Sequence, residues 1–203
     1  MEIQKATDFH DIEPIVAIHL SSFSGFFLTF LGKGFLKYLY KGFMLHPDSG
    51  ILVAKEESRV VGFLAYSTEL SKFYSFILKR YFFLFAWFGF LGAIRSPKSI
   101  LRIIRALTYP SVTKTDEKYI EISSIAVNPT VQTKGIGSGL IKYLCELFKD
   151  SEFKVIRLET DAENNDAANT FYQKNGFVIE NVSESPEGRK MNHCKRQIGN
   201  NLI

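Results

Sequence analysis

The chain has 203 residues, of which 46% are hydrophobic and 23% are charged. This balance supports a folded core and excludes a wholly disordered protein. The net charge of +4 is unevenly distributed, because residues 72–105 carry seven basic side chains and no acidic one. Subtracting these seven from +4 leaves −3 for the rest of the chain.

Cysteine usage and the amino-terminal sequence indicate the compartment. Cys145 and Cys194 are too few for a disulfide framework and lack CxxC spacing, and no signal-peptide pattern opens the chain. The 14 uncharged residues 81–94 would span about 21 Å as a helix, short of the roughly 30 Å hydrocarbon core of a bilayer. We therefore expect a cytoplasmic protein with reduced thiols, in which this segment is a buried or interfacial helix.

Hydrophobic periodicity and turn residues predict the secondary structure. The predicted strands lie at residues 2–6, 50–54, 59–66, 118–127, 153–158, 177–182 and 189–198. The predicted helices lie at residues 8–20, 33–44, 135–149 and 165–174. Because no repeat or low-complexity linker interrupts this order, we predict one domain over residues 1–203, with a Phe-rich, basic, helical insertion at residues 70–115.

Residues 125–140 end a strand and open an amphipathic helix. Gly135 and Gly137 let the backbone approach a ligand, and the first amides of the helix point at that ligand with the positive end of the helix dipole. This chemistry favours a phosphate or a pyrophosphate. The segment has neither the Walker pattern nor the Rossmann spacing, and glycines used only for tight packing are the alternative interpretation.

Two motifs in this order resemble the GNAT superfamily of acetyl-CoA-dependent acyltransferases. The segment Gln132-Thr133-Lys134-Gly135-Ile136-Gly137 matches the family signature of Gln or Arg, two residues, then Gly-x-Gly. Further along the chain, a second family pattern of Asn-x-x-Ala-x-x-hydrophobic-Tyr followed by Gly-Phe is matched by Asn165, Ala168, Phe171, Tyr172, Gly176 and Phe177. The resemblance covers most of residues 1–182 and is weakest over the insertion.

The resemblance implies a fold and a reaction. The fold is α/β (α+β), with a central mixed, mostly antiparallel sheet flanked by helices and the helical insertion between the third and fourth strands. The reaction is that of an N-acetyltransferase, an enzyme that takes an acetyl group from the co-substrate acetyl-CoA and moves it to an amine by direct attack.

The resemblance also implies the roles of individual residues. Tyr172 would protonate the leaving thiolate, for which a phenol is adequate because a thiol has a pKa of about 8.5. Glu121 would deprotonate the incoming ammonium, with Ser123 and Ser124 as a polar wall or relay, and the Ile125 amide would hold the oxyanion. The implied cofactor-binding residues are Ile125, Ala126, Val127, Gln132, Thr133, Lys134, Gly135, Ile136, Gly137, Ser138, Asn165 and Ala168.

Both predicted catalytic residues also have a purely structural interpretation. Tyr172 is also typical of a core aromatic on a short helix, and Glu121 of a solvated strand residue paired with Lys118 or another cation. The four histidines share no metal-ligand spacing, so no metal site is predicted.

The acceptor is not identified by the sequence. The Phe-rich loop at residues 21–28 and the insertion are expected to wall its pocket. Candidate acceptors are an amino sugar or a nucleotide sugar. The basic residues suggest an anionic partner, either a nucleotide-sugar diphosphate or an anionic membrane surface, contacted through residues 72–105, where a lipid-linked acceptor sits. No nucleic-acid-binding motif accompanies them.

Rival interpretations of the activity stay open at this point. An O-acyl or longer-chain acyltransferase would use the same fold, and a non-catalytic acyl-CoA-binding or membrane-docking module would need neither Tyr172 nor Glu121. The predicted partners are a small-molecule amine and no nucleic acid, with the protein a monomer or a homodimer.

Overall fold

The structure is a computed structural model that describes residues 1–23, 27–95, 117–131, 133–184 and 188–199. Its strands are β1 (Glu2–Lys5), β2 (Ser49–Glu56), β3 (Arg59–Ser67), β4 (Tyr119–Val127), β5 (Val155–Asp161), β6 (Val178–Glu184) and β7 (Lys190–Gln197). Its helices are a 3₁₀ turn (Phe9–Asp11), α1 (Ile12–Ser22), α2 (Phe27–Phe30), α3 (Gly32–Leu45), α4 (Leu70–Arg95), α5 (Ile136–Phe148) and α6 (Asp166–Lys174).

The strands form one sheet in the order β1-β2-β3-β4-β5-β7-β6. Neighbouring strands are antiparallel, except that β4 and β5 run parallel. Helices α1, α3 and α4 pack on one face around a buried cluster, and α5 packs on the other face through Ile136, Leu140, Ile141 and Leu144, an apolar stripe at helical spacing. The mixed, mostly antiparallel sheet flanked by helices confirms the predicted fold class.

Helix α4 is the described part of the predicted insertion. Phe73, Ile77 and Tyr81 recur every four residues and are buried, with the Phe73 ring stacked on Phe43 at 3.9 Å between centroids. The helix is kinked at Tyr81, where φ is −121° and ψ is 23°. Residues 96–115 of the predicted insertion lie outside the described residues.

A bulge in β4 changes which face its side chains meet. Ala65 of β3 pairs with Ser124 and Tyr66 pairs with Ile122, so Ser123 is an extra residue. Ile122 accordingly packs with α5, whereas Ala126, four residues later, packs on the opposite face with α1, α3 and α4. A bulge of this kind re-aims side chains at an otherwise regular strand.

Strands β4 and β5 separate soon after they pair. Their register covers only Tyr119–Glu121 against Val155–Arg157, while β5 stays paired with β7 along its whole length. Within the described residues, the β5-side edge of β4 beyond Glu121 therefore has no partner strand. This gap lies immediately before the turn that leads into α5.

Candidate active site

The turn into α5 passes through a left-handed residue. Gly135 is the N-cap, with φ of 85°, a conformation that glycine adopts without steric cost. Gly139 donates its N–H to the Gly135 carbonyl at 2.8 Å, so the amides of Ile136, Gly137 and Ser138 precede the first helical bond. Such amides, with the helix dipole behind them, favour an anionic ligand.

The two glycines of the signature are required for different reasons. A Cβ at Gly135 would have no atom within 4 Å, whereas a Cβ at Gly137 would lie 2.9 Å from Cζ of Phe171 on α6. Gly135 therefore serves backbone conformation, and Gly137 serves the close packing of α6 on α5. Thr133 and Lys134 are exposed beside them, and Gln132 lies outside the described residues.

The main chain of β4 forms a second feature beside this turn. Asn128 donates its N–H to the Val61 carbonyl of β3 at 2.8 Å. Backbone N–H and C=O groups point alternately to the two sides of an antiparallel strand. Those of Ile125 and Val127 therefore point to the open edge that β5 has left. There the Ser22 hydroxyl donates to the Val127 carbonyl at 3.3 Å. An extended ligand with amide groups suits this edge as an added strand.

Glu121 is a buried carboxylate at the point where β4 and β5 separate. Its Oε2 atom is buried and has no hydrogen-bond partner. Burial and then the charge of Glu159 raise the pKa of Glu121 to about 7, although Arg157 opposes them. The alternative interpretation, in which Glu121 is a solvated residue paired with Lys118, is not what the structure shows, because the Lys118 ammonium contacts Glu152 at 2.5 Å. A carboxyl group with a pKa near neutrality is matched to accepting a proton at ordinary pH.

The small cleft beside Glu121 is charged. Its lining residues are Tyr119, Glu121, Arg157, Leu158, Glu159, Glu180, His193 and Cys194. The Arg157 guanidinium lies 4.9 Å from the centroid of the Tyr119 ring, and His193 Nδ1 lies 3.2 Å from Glu159 Oε1. With carboxylates on β4, β5 and β6 against one guanidinium and one imidazole, this lining is acidic.

Tyrosines from two helices reach the bulged part of β4. The Tyr74 hydroxyl of α4 is hydrogen-bonded to Ser123, and burial together with the charge of Glu121 raises its pKa above the ordinary value. The Tyr40 hydroxyl of α3 is hydrogen-bonded to Ser124. The beginning of the insertion therefore lies against the face of β4 that carries Glu121.

A buried histidine extends the second of these contacts. His19 Nδ1 lies 2.6 Å from the Tyr40 hydroxyl, and Nε2 of the same ring is buried without a hydrogen-bond partner. Burial lowers the pKa of His19 to about 4, so the ring is neutral at ordinary pH. A neutral ring in this position links α1 to α3 and β4 without adding charge beside the site.

Helix α6 carries the second predicted catalytic residue. The Tyr172 ring packs 5.3 Å from Phe171 and 5.8 Å from Phe177 between centroids. Burial and then the Cys194 thiol raise the pKa of Tyr172 to about 12. Since Cys194 also lines the cleft that contains Glu121, β7 connects the surroundings of the two predicted catalytic side chains.

The remaining predicted residues lie at the start of α6. Asn165 donates from Nδ2 to Thr160 Oγ1 at 2.7 Å, which fixes α6 to the end of β5. Ala168 is half-buried one turn later. The structure thus groups the predicted residues into the β4 edge, the α5 turn and the α6 start.

Sequence reasoning missed several residues of this site. Arg157 and Glu159 alternate with the buried Ile156 and Leu158, and this period of two was a readable signal for a polar face on β5. Tyr74 and the other helical tyrosine carry no such signal, because only tertiary packing brings them to β4.

A family model described as the acetyltransferase (GNAT) family matches residues 17–177. The chain belongs to the GNAT family of acetyltransferases. This membership confirms the resemblance carried by the two motifs and makes the protein a GNAT acetyltransferase. A comparison with curated protein sequences found no significant match.

Solved GNAT structures share the fold. A ribosomal-protein-alanine N-acetyltransferase from Brucella melitensis has a TM-score of 0.62 at 14% identity, covering 97% of this chain and 99% of that one. An aminoglycoside 6'-acetyltransferase type Ii has a TM-score of 0.62 at 14% identity, covering both chains fully at 100%. A Bacillus anthracis protein assigned as a streptothricin acetyltransferase, solved with acetyl coenzyme A, has a TM-score of 0.50 at 20% identity over 78% of this chain and 67% of that one.

In the described parts of the chain, no group of three or more His, Cys, Asp or Glu side chains is arranged to hold a metal ion. No described helix combines the length and the apolar character that crossing a membrane requires.

Proposed function

We propose that this GNAT protein transfers the acetyl group of acetyl-CoA to an amine of a small-molecule acceptor by direct attack. The observation that carries the proposal is Glu121, whose Oε2 atom is buried without a hydrogen-bond partner and whose pKa is about 7. An amine with a pKa of about 10 must lose its proton before it attacks a thioester. Glu121 supplies the base for that step.

The residues present fit an acyl-CoA co-substrate. The first-turn amides of α5 suit its pyrophosphate, and the edge of β4 at Ile125 and Val127 suits the amides of its pantetheine arm. The Bacillus anthracis neighbour was solved with acetyl coenzyme A. When bound, acetyl-CoA supplies the activated acyl group, and we assign Ala126, the 132–138 loop, Asn165 and Ala168 to holding it.

The proposed chemistry divides between strand β4 and helix α6. Glu121 accepts the proton of the acceptor ammonium, and the Ile125 N–H at the open edge of β4 donates to the carbonyl oxygen as charge develops on it. Tyr172 donates a hydrogen bond to the leaving sulfur. Because its pKa is about 12 and that of a thiol is about 8.5, Tyr172 stabilises the developing thiolate before any complete proton transfer.

The acidic lining supports a cationic acceptor. Glu159 lies with Glu121 around the cleft, where a diphosphate would be repelled and a second ammonium would be attracted, whereas Glu180 is paired with Lys195 at 2.7 Å. Lys72, one of the basic residues that suggested an anionic partner, instead pairs with Glu69 at 3.1 Å on an exposed surface. We therefore propose a diamine or an amino sugar without a nucleotide as the acceptor class.

A panel assay tests the proposal. Thiol release from acetyl-CoA is measured with diamines, aminoglycosides, amino acids and nucleotide amino sugars, and each product is examined by mass spectrometry for one added acetyl group. We expect amine-dependent release that is fastest with the cationic acceptors. Retained acetyl-CoA binding without release would contradict catalysis, and an acetylated hydroxyl group in the product would contradict transfer to nitrogen.

A further inference from the structure

Three aromatic side chains beyond the kink of α4 are exposed to solvent. Phe82 is 60% exposed, Phe83 is 85% exposed and Trp87 is 58% exposed. The buried stripe of the same helix reaches only to Tyr81, which is 8% exposed and lies at the kink. Contiguous exposed aromatic surface of this kind marks a contact site.

The charge of α4 indicates which kind of partner the exposed aromatic surface can bind. Lys79 and Arg80 are exposed directly before the aromatic residues, and residues 70–95 contain four basic side chains and no acidic one. Phe83 and Trp87 are four residues apart beyond the kink at Tyr81 and therefore share one side of that part of the helix, while Lys79 and Arg80 lie directly before the kink. A basic surface with adjoining aromatic side chains complements an anionic layer that has an apolar interior.

We propose that residues 79–87 dock the protein on an anionic lipid bilayer. Phe82, Phe83 and Trp87 enter the boundary between headgroups and acyl chains, and Lys79 and Arg80 contact the lipid phosphates. The contact we propose is with the bilayer surface, and no described helix is both long and apolar enough to cross a membrane. This surface goes beyond the proposed acetyl transfer and does not depend on it.

Trp87 provides a direct readout, because it is the only tryptophan of the 203-residue chain. Its fluorescence is measured with vesicles of phosphatidylcholine alone and of phosphatidylcholine mixed with phosphatidylglycerol. We expect a blue shift, and quenching by brominated acyl chains, only with the anionic vesicles, and we expect both to weaken at high salt. If neither kind of vesicle changes the emission of Trp87, the proposal is wrong.

Paired variants locate the contact. In vesicle flotation, Lys79→Glu with Arg80→Glu, and separately Phe82→Ser with Phe83→Ser, should each bind at least about tenfold more weakly. Lys142→Glu and Leu147→Ser are matched controls, since both residues are exposed on α5, and they should bind normally. Thermal unfolding confirms that each variant is folded. Equal loss in the controls, or a blue shift that depends on protein concentration without lipid, would contradict docking through this surface.

Discussion

Glu121 lies directly opposite Arg157 across the parallel β4–β5 pair, yet Oε2 of Glu121 and Nε of Arg157 are both buried without a hydrogen-bond partner. Arg157 instead directs Nη2 toward Glu180 at 3.5 Å and Glu117 at 3.7 Å. A close ion pair would hold the pKa of Glu121 low. The guanidinium only partly offsets burial here, so the carboxyl group can still take up a proton near neutral pH.

Replacing the neighbour of Glu121 should move its titration. The charge of Glu159 raises the pKa of Glu121, so Glu159→Gln should shift the rising limb of kcat/KM to lower pH. Glu146→Gln is the matched control, since Glu146 pairs with Lys149 on α5 and its loss should leave the limb in place. A limb that stays fixed in Glu159→Gln would show that Glu121 does not set it.

The same carboxyl group should make stability depend on pH. Its pKa is raised from 4.5 to about 7 in the folded protein, so the contribution of this group to stability is greatest below pH 4.5 and is lost as pH rises from there through 7. The loss is about 3 kcal/mol at most. Relative to the wild type, Glu121→Gln should gain free energy of unfolding between pH 5 and pH 8, as measured by urea denaturation. If the free energy of unfolding of Glu121→Gln differs from that of the wild type by the same amount at pH 5 and at pH 8, Glu121 does not have the raised pKa of a buried carboxyl group.

Removing the Tyr172 hydroxyl should slow turnover without weakening the binding of acetyl-CoA. We expect Tyr172→Phe to lower kcat by about 10²-fold, the lower end of the range for a positioned proton donor, with acetyl-CoA affinity nearly unchanged by calorimetry. Tyr143→Phe is the control, because Tyr143 is 36% exposed on α5. If the Tyr172→Phe protein instead loses affinity while kcat is kept, the tyrosine acts in binding and not in the chemical step.

Gly137 and Phe171 should be energetically coupled. A Cβ at Gly137 would overlap the Phe171 ring, a cost of about 1–3 kcal/mol against about 1 kcal/mol gained in helix propensity. Gly137→Ala should therefore be unfavourable in the wild type and stabilising in a Phe171→Leu background, by thermal unfolding. Identical effects in the two backgrounds would contradict a packing role for this glycine.

Local patterns predicted the order of strands and helices, and the differences have local causes. The pattern predicts a helix from residue 8, but Asp8 accepts the His10 N–H and caps a 3₁₀ turn. Helix α1 begins after that turn, with Pro14 in its first turn, where a proline is tolerated. The bulge at Ser123 could not be predicted, because it depends on pairing with β3.

The candidate site could be predicted from the sequence only where its residues belong to one continuous segment. The α5 turn and Tyr172 belong to continuous motifs, whereas the acidic cleft combines residues of β4, β5, β6 and β7. Because the sequence does not bring these acidic residues together, the basic insertion alone predicts an anionic acceptor. The exposed Lys79 and Arg80 are not among the residues that line the cleft, which separates the charge of the insertion from the charge around Glu121.

The pH dependence of amine-driven thiol release is the most direct test of acetyl transfer with Glu121 as the base. With a cationic acceptor and saturating acetyl-CoA, the wild type should gain activity as pH rises through about 7, the pKa of Glu121. Glu121→Gln should lose roughly 10²–10⁴-fold in kcat/KM together with that limb, while still binding acetyl-CoA. A Glu121→Gln protein with wild-type rates and the same limb would contradict the account.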